Sequence, residues 1–126
     1  MTIGKTAKAT TLVSHTNTAV TVGSGSLPVF STPSMIALME QAACNALTNH
    51  LTEGQTSVGT AINIEHLAPS PLGVEITATA EITGVEGRLV NFNIRAFEGI
   101  SGKQIGKGTH ARAVVNIDKF MSKLGG

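Results

Sequence analysis

The sequence predicts an α+β fold in which one antiparallel sheet wraps a single long helix. Residues 34–47 are dense in helix-forming residues and contain no Gly or Pro. Their apolar side chains fall on nearly every face, which is typical of a buried helix. After this helix the chain carries only strand patterns, divided by turn-forming residues. A sheet that wraps the helix would bury the apolar surfaces of both.

The segment before the helix predicts two short strands and a loop. Residues 10–13 and 19–22 are rich in Thr, Val and Ala, a composition that favours strands, and residues 14–18 separate them as a turn. Residues 23–26 have the sequence Gly-Ser-Gly-Ser, which predicts a loop.

The helix has recognisable start and stop signals. Thr32 is a good N-cap residue, and Pro33 suits the first helical position. The helix is expected to end near Leu51, before Glu53 and Gly54. Because apolar residues surround its axis, we expect it to be buried on all sides.

Four consecutive strands are predicted after the helix. In residues 73–83, Val, Ile and Ala alternate with Glu and Thr, so one face should cover the core and the other should be wetter. Consecutive strands usually pair antiparallel. Together with the wrapped helix, this is the hot-dog arrangement. The other predicted strands are residues 57–65, 89–97 and 104–118, with hairpin turns at 84–87 and 98–103.

The composition indicates one globular domain spanning residues 1–126. A net charge of +1, with no Trp or Tyr, argues against nucleic-acid binding. No apolar run is long enough to span a membrane, and the first residues lack the apolar run of a signal peptide. The single cysteine, Cys44, cannot form an internal disulfide. We therefore expect a cytoplasmic protein that does not bind membranes.

Glu40 is the first candidate functional residue. It is the only Asp, Glu, Lys or Arg between Lys8 and Glu53, and it lies in the middle of the apolar helix. A buried carboxylate is costly unless it is paired, and burial raises its pKa. The alternative is that Glu40 belongs to one wet stripe of the helix with Gln41 and Asn45, and the residues alone leave both interpretations open.

Four more residues have both a functional and a structural interpretation. His66 follows a predicted strand and precedes a rigid turn, which suits acid–base chemistry, but the residue taken alone is better explained as a surface histidine in a loop. His110, inside a predicted strand, has the same ambiguity. The hydroxyl of Thr32 could cap the helix or take part in catalysis. Gly59 inside a strand marks a bulge or a close approach, either by a ligand or by the helix.

Several common functional motifs are absent from the sequence. One Cys and scattered His residues give no zinc spacing. There is no phosphate-binding loop of the Walker type, and no Gly-x-Gly-x-x-Gly follows a strand. Gly-x-Ser-x-Gly is also absent, which argues against an ordinary serine hydrolase. Neither a metal nor a separate cofactor is therefore expected.

Four blocks of sequence together carry a family resemblance. They are Leu-Met-Glu-Gln-Ala-Ala-Cys at 38–44, Ser-Val-Gly-Thr-Ala-Ile at 57–62, Thr-Ala-Thr-Ala-Glu at 77–81 followed by Val-Glu-Gly-Arg at 85–88, and Gly-Thr-His-Ala-Arg-Ala-Val at 108–114. In this order and spacing, from about residue 29 to residue 123, the chain resembles the fluoroacetyl-CoA thioesterase family, a branch of the hot-dog thioesterases. Several blocks in order are far more specific than any single motif.

The resemblance implies an acyl-CoA thioesterase that hydrolyses the thioester of a small or short-chain acyl-CoA. The family's catalytic Thr, Glu and His fall on Thr32, Glu40 and His66. A glycine that offers a backbone amide to the thioester falls on Gly59, and an arginine that contacts the ligand falls on Arg112. The family also implies a homodimer or a dimer of dimers with its site at the subunit interface, no metal, and coenzyme A only as part of the substrate.

The chain departs from the family in the segment before Thr32. The fluoroacetyl-specific enzyme has phenylalanines there, which form a lid over the acyl pocket. In this chain the corresponding segment, residues 23–30, is shorter and has few aromatic residues. The sequence therefore does not determine which acyl group the substrate carries. The competing interpretations are a hot-dog protein that binds acyl-CoA or an acyl carrier without turnover, and a hydratase or dehydratase of the same fold.

Helix geometry separates two of the candidate catalytic residues. If Thr32 caps a straight helix, Glu40 lies about 12 Å further along its axis. Either the regular helix begins a turn after Pro33 with the Thr32 loop folded back, which is what we expect, or Thr32 reaches Glu40 only through water or substrate. Basic groups for the phosphates of coenzyme A are expected at the rim of the site, with Arg112 as the candidate that the family supports.

Overall fold

The structure, a computed structural model, describes residues 2–125. Five strands and three α-helices follow one another, and a turn of 3-10 helix, Thr48–His50, extends the second helix. The elements are β1 Thr6–Leu12, α1 Ala19–Val22, α2 Thr32–Leu47, β2 Gln55–His66, β3 Glu75–Glu86, β4 Leu89–Glu98, β5 Gln104–Asn116 and α3 Ile117–Lys123.

The five strands form one antiparallel sheet in the order β1-β3-β4-β5-β2. Helix α2 lies across its concave side and packs against β1 and β3 above all, and also against β4 and β2. The predicted architecture, a long helix wrapped by an antiparallel sheet, is confirmed. Strands β1 and β2 are the two edges, and β2 is the longer of them.

The core lies between α2 and the inner face of the sheet. The alternation predicted in the strand now called β3 is confirmed, because Ile76, Ala78, Ala80 and Ile82 are all fully buried while their neighbours are not. Small residues on the strand leave room for the large side chains of the helix, which is how protein cores reach close packing. The helix contributes Met35, Leu38, Met39, Ala42, Ala43, Ala46 and Leu47.

Helix α2 is not buried on all sides, so that expectation was wrong. Pro33, Ala37, Gln41 and Asn45, spaced four residues apart, form an exposed stripe along it. The sheet covers the helix from one side only, and the polar residues of the helix collect on the uncovered side. None of the helices within residues 2–125 is long and apolar enough to cross a membrane.

The segment Ala19–Val22 was predicted to be a strand and is instead the single helical turn α1. Gly23 ends this turn with φ +90°, and its N–H donates to the carbonyl of Ala19. Extended pairing in this part of the chain is limited to two isolated bridges, Thr18 with Phe30 and Val29 with Pro71. A four-residue pattern is too short for β propensity to outweigh this local closure.

Several strand boundaries differ from the prediction, including β1, which begins at Thr6 rather than at residue 10, and two of the differences have a clear local cause. Strand β5 ends at Asn116 rather than at residue 118, because the Asn116 side chain accepts a hydrogen bond from the Lys119 N–H and caps α3, which was not predicted. Strand β3 continues to Glu86, so the first hairpin turn consists of Gly87 and Arg88 alone. Gly87 adopts φ +60°, as a tight hairpin turn requires.

Candidate active site

The start of α2 frees the hydroxyl of Thr32. The N-cap is Ser31, whose side chain accepts the Ser34 N–H, so Thr32 is the first helical residue and the prediction of Thr32 as the cap was wrong by one position. The regular helix therefore begins at Thr32, and the later start that we expected is also wrong. With no backbone donor to cap, Thr32 Oγ1 lies 2.8 Å from Nδ1 of His66, and the two share a hydrogen bond.

His66 is at the end of β2, where it faces the start of α2. Its Nε2 atom is buried and has no hydrogen-bond partner among the described residues. Burial lowers the pKa of His66 below the usual 6.5, and a backbone contact with Ala68 opposes this shift. A neutral imidazole beside a hydroxyl, with its second nitrogen unpaired, can accept a proton near neutral pH.

Glu40 lies two turns further along α2 and forms an ion pair. Its Oε2 atom accepts a hydrogen bond from Nη1 of Arg112 at 3.0 Å, and Nε2 of His110 lies 3.9 Å away. About 40% of the Glu40 side chain is exposed, so both sequence interpretations hold in part. The carboxylate is paired on its inner side and open to solvent on its outer side.

Arg112 is buried rather than at the rim of the site. It is 6% exposed, and its guanidinium binds protein groups on three sides. Nε donates to Oγ of Ser57 at 2.9 Å, and Nη2 donates to the Ser57 carbonyl oxygen at 3.1 Å. This placement does not support the expectation that Arg112 meets the phosphates of coenzyme A at the rim. Arg112 instead forms the ion pair that fixes the Glu40 side chain.

A bulge in β2 directs two distant residues toward the helix. Gly59 pairs with Arg112 and Ala61 with Ala111, so Thr60 is an extra residue in the strand. Side chains alternate along a strand, so Gly59 and His66, seven positions apart, would face opposite sides of a regular strand. One inserted residue reverses the alternation, and both then face α2. The bulge that Gly59 suggested in the sequence is confirmed.

Gly59 lies directly against the Glu40 carboxylate. A Cβ atom at this position would lie 2.6 Å from Oε2 of Glu40, and 3.4 Å from both Nη1 of Arg112 and Cε1 of His110. Any side chain here would therefore displace the carboxylate. Absence of a side chain is what permits Glu40 to approach the sheet at all.

Within one chain the three predicted catalytic residues form two groups. Thr32 and His66 line a cavity of about 340 Å³, whereas Glu40 and Gly59 line a second cavity of about 290 Å³ with His110. Along β2, Gly59 and His66 are roughly 20 Å apart at the usual rise per residue. No hydrogen bond among residues 2–125 joins the two groups.

Sequence reasoning left His110 undecided and did not identify Ser57. A usable signal for His110 existed, because residues 110 and 112 share one face of a strand, so His110 had to lie beside Arg112. Ser57 gave no signal, since its role depends on the pairing of β2 with β5. Within residues 2–125, no cluster of three His, Cys, Asp or Glu side chains could hold a metal ion.

Comparisons with known proteins assign the chain to a family. The sequence profile described as fluoroacetyl-CoA-specific thioesterase matches residues 13–118. A fluoroacetyl-CoA thioesterase from Streptantibioticus cattleyicolor is 43% identical over 96 residues, which cover 76% of this chain and 68% of that protein. The chain belongs to the fluoroacetyl-CoA-specific thioesterase family.

Solved structures of hot-dog thioesterases agree with this family assignment. A mutant of the fluoroacetyl-CoA-specific thioesterase in complex with fluoroacetate and CoA has a TM-score of 0.88 and 35% identity, over 95% of this chain and 99% of that one. A thioesterase superfamily member from Thermus thermophilus has a TM-score of 0.90 and 25% identity, over 98% and 90%. The predicted fold, family and enzyme class, a hot-dog thioester hydrolase, are thereby confirmed.

Gly59→Ala should separate activity from stability in this thioesterase. The added methyl group displaces the Glu40 carboxylate, which is the end of a flexible side chain and moves at little cost to folding. We expect kcat for thioester hydrolysis to fall about 100-fold, as for other misplaced catalytic groups, with little change in Tm. Steady-state kinetics and thermal unfolding measure the two effects.

Gly84→Ala is the matched control, because Gly84 also lies at a strand irregularity. The nearest atom to a Cβ there is Nδ2 of Asn91 at 3.8 Å, an ordinary contact. This variant should keep wild-type kcat. Wild-type kcat in Gly59→Ala, or a loss that only follows its unfolded fraction, would contradict the assigned geometry.

Proposed function

We propose that this enzyme hydrolyses the thioester of a small or short-chain acyl-CoA, with Thr32, Glu40 and His66 as catalytic residues. The observation that carries the proposal is the arrangement around Gly59. There the partly exposed Glu40 carboxylate is held by the buried Arg112, next to a strand position that has no side chain. We also expect a cytoplasmic location and no cofactor, with coenzyme A entering only as part of the substrate.

Glu40 is suited to attack the thioester carbonyl or to hold the attacking water. Its Oε2 atom is fixed by Arg112, which donates the one hydrogen bond that the described residues make to the carboxylate. The other oxygen, Oε1, is then available to the substrate or to water. In the proposed arrangement, the backbone N–H of Gly59 donates to the thioester oxygen, where negative charge develops during the reaction.

The Thr32–His66 pair is suited to proton transfer and to binding the acyl group. Neutral His66 can accept a proton from water, or return one to the departing thiolate of coenzyme A. The Thr32 hydroxyl, 2.8 Å from the imidazole, would orient the ring and donate to a bound acyl or carboxylate oxygen. This pair supplies an imidazole that can both accept a proton and return one to the leaving group.

The cavity beside Thr32 and His66 is suited to the acyl group. Besides these two residues, its lining is mostly apolar: Ala19, Val29, Phe30, Leu67, Ala68 and Pro69. Phe30 is the single aromatic residue among them, and residues 23–26 of the preceding loop are all Gly or Ser. A short saturated acyl chain fits an apolar cavity without an aromatic lid, which supports the short-chain assignment over one restricted to fluoroacetyl.

A homodimer would unite the two groups of site residues. Strand β2 is a sheet edge, and most of its residues are exposed in the single chain, including Ile62 at 37%. A long exposed edge is a template for pairing with another strand. We propose that two copies pair antiparallel along β2, either as a dimer or as the unit of a dimer of dimers.

The positions of Gly59 and His66 along β2 support this pairing. In an antiparallel pair about a two-fold axis, positions on the two strands sum to a constant. If the axis passes through Asn63, Ile62 lies opposite Ile64 of the partner subunit, so residues of the same face are paired. Because Thr60 is an extra residue, Gly59 of one copy then lies opposite His66 of the partner subunit. Glu40 would then meet the partner's Thr32 and the partner's His66, and each dimer would contain two complete sites.

Glu40→Gln tests the proposed function most simply. The amide keeps the size of the side chain but removes its negative charge, so it can neither attack nor activate water. We expect thiol release from acyl-CoAs of increasing chain length to fall at least 100-fold in kcat for this variant, a typical loss for such a group. Gln41→Glu, on the exposed stripe, is the control and should behave as wild type.

Two outcomes would contradict the proposal in different ways. Equal rates in wild type and Glu40→Gln would remove Glu40 from catalysis. No thiol release from any acyl-CoA by the wild type, together with tight acyl-CoA binding, would favour a binding protein without turnover.

The pH dependence of kcat/KM should report His66. The neutral ring is the active form, so activity falls as the pH drops through the pKa of His66, which burial holds below 6.5. The acid limb of the profile should therefore lie below 6.5 in the wild type. His66→Gln should lower activity and change the position or steepness of that limb, whereas an unchanged profile would exclude His66 as the base.

A further inference from the structure

His110 is the buried residue of the site that the proposed reaction does not use. It is 3% exposed on the helix-facing side of β5. Its ring stacks on Phe92, with centroids 5.9 Å apart and planes inclined by 28°. Buried polar groups need hydrogen-bond partners, so the contacts of its two ring nitrogens show which state of the ring this environment favours.

Those contacts fix the tautomer of His110. Nδ1 lies 2.8 Å from the carbonyl oxygen of Ala61, which only accepts, so Nδ1 carries the hydrogen. Nε2 lies 3.2 Å from Nη1 of Arg112, which only donates, so Nε2 offers its lone pair. Burial, more than any other cause, lowers the pKa of His110; Arg112 lowers it further, while the Ala61 contact and Glu40 oppose this.

This neutral ring holds one side of the Arg112 guanidinium. Of the two hydrogens on Nη1, one goes to Oε2 of Glu40 and the other to His110. Ser57 on β2 holds the other side through Nε and Nη2. The guanidinium is therefore fixed between β2 and β5, and Nη1 has only one hydrogen left for the carboxylate.

We propose that His110 is a positioning residue for thioester hydrolysis. Its neutral Nε2 orients Arg112 so that Arg112 binds Glu40 through Oε2 alone and leaves Oε1 toward the substrate. This role rests on the proposed function of Glu40. Without the Nε2 acceptor, Nη1 has a free hydrogen with which to pull the carboxylate out of position.

Protonation of His110 would disrupt this arrangement. A hydrogen on Nε2 would repel the donors of Arg112 and compete for Glu40, which is 3.9 Å away. The charged groups that face the ring are Glu40 from α2 and Arg112 from β5. Strand β2 contributes the Ala61 carbonyl and β4 the Phe92 ring, neither of which is charged.

Two substitutions of His110 each keep one of the two hydrogen bonds of the ring and remove the other. In His110→Asn the amide nitrogen takes the place of Nδ1 and keeps the bond to Ala61, but the acceptor for Arg112 is lost. In His110→Gln the longer side chain places its oxygen near Nε2, so the acceptor is kept and the Ala61 bond is lost. Both variants remove the same ring from the stack on Phe92.

Steady-state kinetics with short acyl-CoAs should distinguish the two variants. We expect His110→Asn to lose about tenfold to 100-fold in kcat with little change in KM, and His110→Gln to recover most of that loss. His15→Asn, at an exposed position, is the control for a histidine substitution as such and should match the wild type. Equal kcat losses in Asn and Gln, or losses that follow Tm, would overturn the positioning role.

Nitrogen NMR of the imidazole tests the inference independently of turnover. At neutral pH, His110 should be neutral with its hydrogen on Nδ1, and it should titrate below the usual 6.5. An imidazolium, or the tautomer with its hydrogen on Nε2, would overturn the proposal. A wild type that releases no thiol would overturn the function and this role together, whereas an active wild type with no Asn–Gln difference would overturn this role alone.

Discussion

The site depends on one interaction, the ion pair between Glu40 and the buried Arg112. A buried guanidinium is costly unless its donors are satisfied. Four of the five N–H donors of Arg112 bind groups from three elements: Glu40 on α2, Ser57 on β2 and His110 on its own strand. The pair joins the helix to the two strands at the sheet edge. It also explains how the only charged side chain of α2 is held against the sheet.

Strand β2 contributes the other residues of the candidate active site. It provides Gly59, the bulge at Thr60 and, at its far end, His66. Because the bulge reverses the alternation, one edge strand presents both groups to α2. The same strand is exposed along most of its length, which is costly in a monomer but useful if a second copy pairs with it. Catalysis and assembly would then depend on the same residues.

The sequence predicted the architecture well and the site only in part. The strong alternation around Ile76–Ile82 and the dense helix pattern defined the fold, because such patterns depend on burial alone. The pairing of Thr32 with His66 depends on a contact between distant segments. The α2 cap and the helical turn at residues 19–22 are local, but the residue pattern does not distinguish Ser31 from Thr32 as the cap, or a helical turn from a short strand. Family resemblance nominated Arg112, but only the register of β2 against β5 shows that it holds Glu40 instead of standing at the rim.

Complementation between two inactive variants is the most direct test of the composite site. Glu40→Gln and His66→Gln subunits are combined, and the heterodimer is purified with two different tags. One of its two sites then contains an intact Glu40 from one subunit and an intact His66 from the other, so the heterodimer should recover about half of the wild-type activity. Either homodimer treated in the same way should stay inactive. A purified heterodimer with no recovered thioesterase activity would contradict the account.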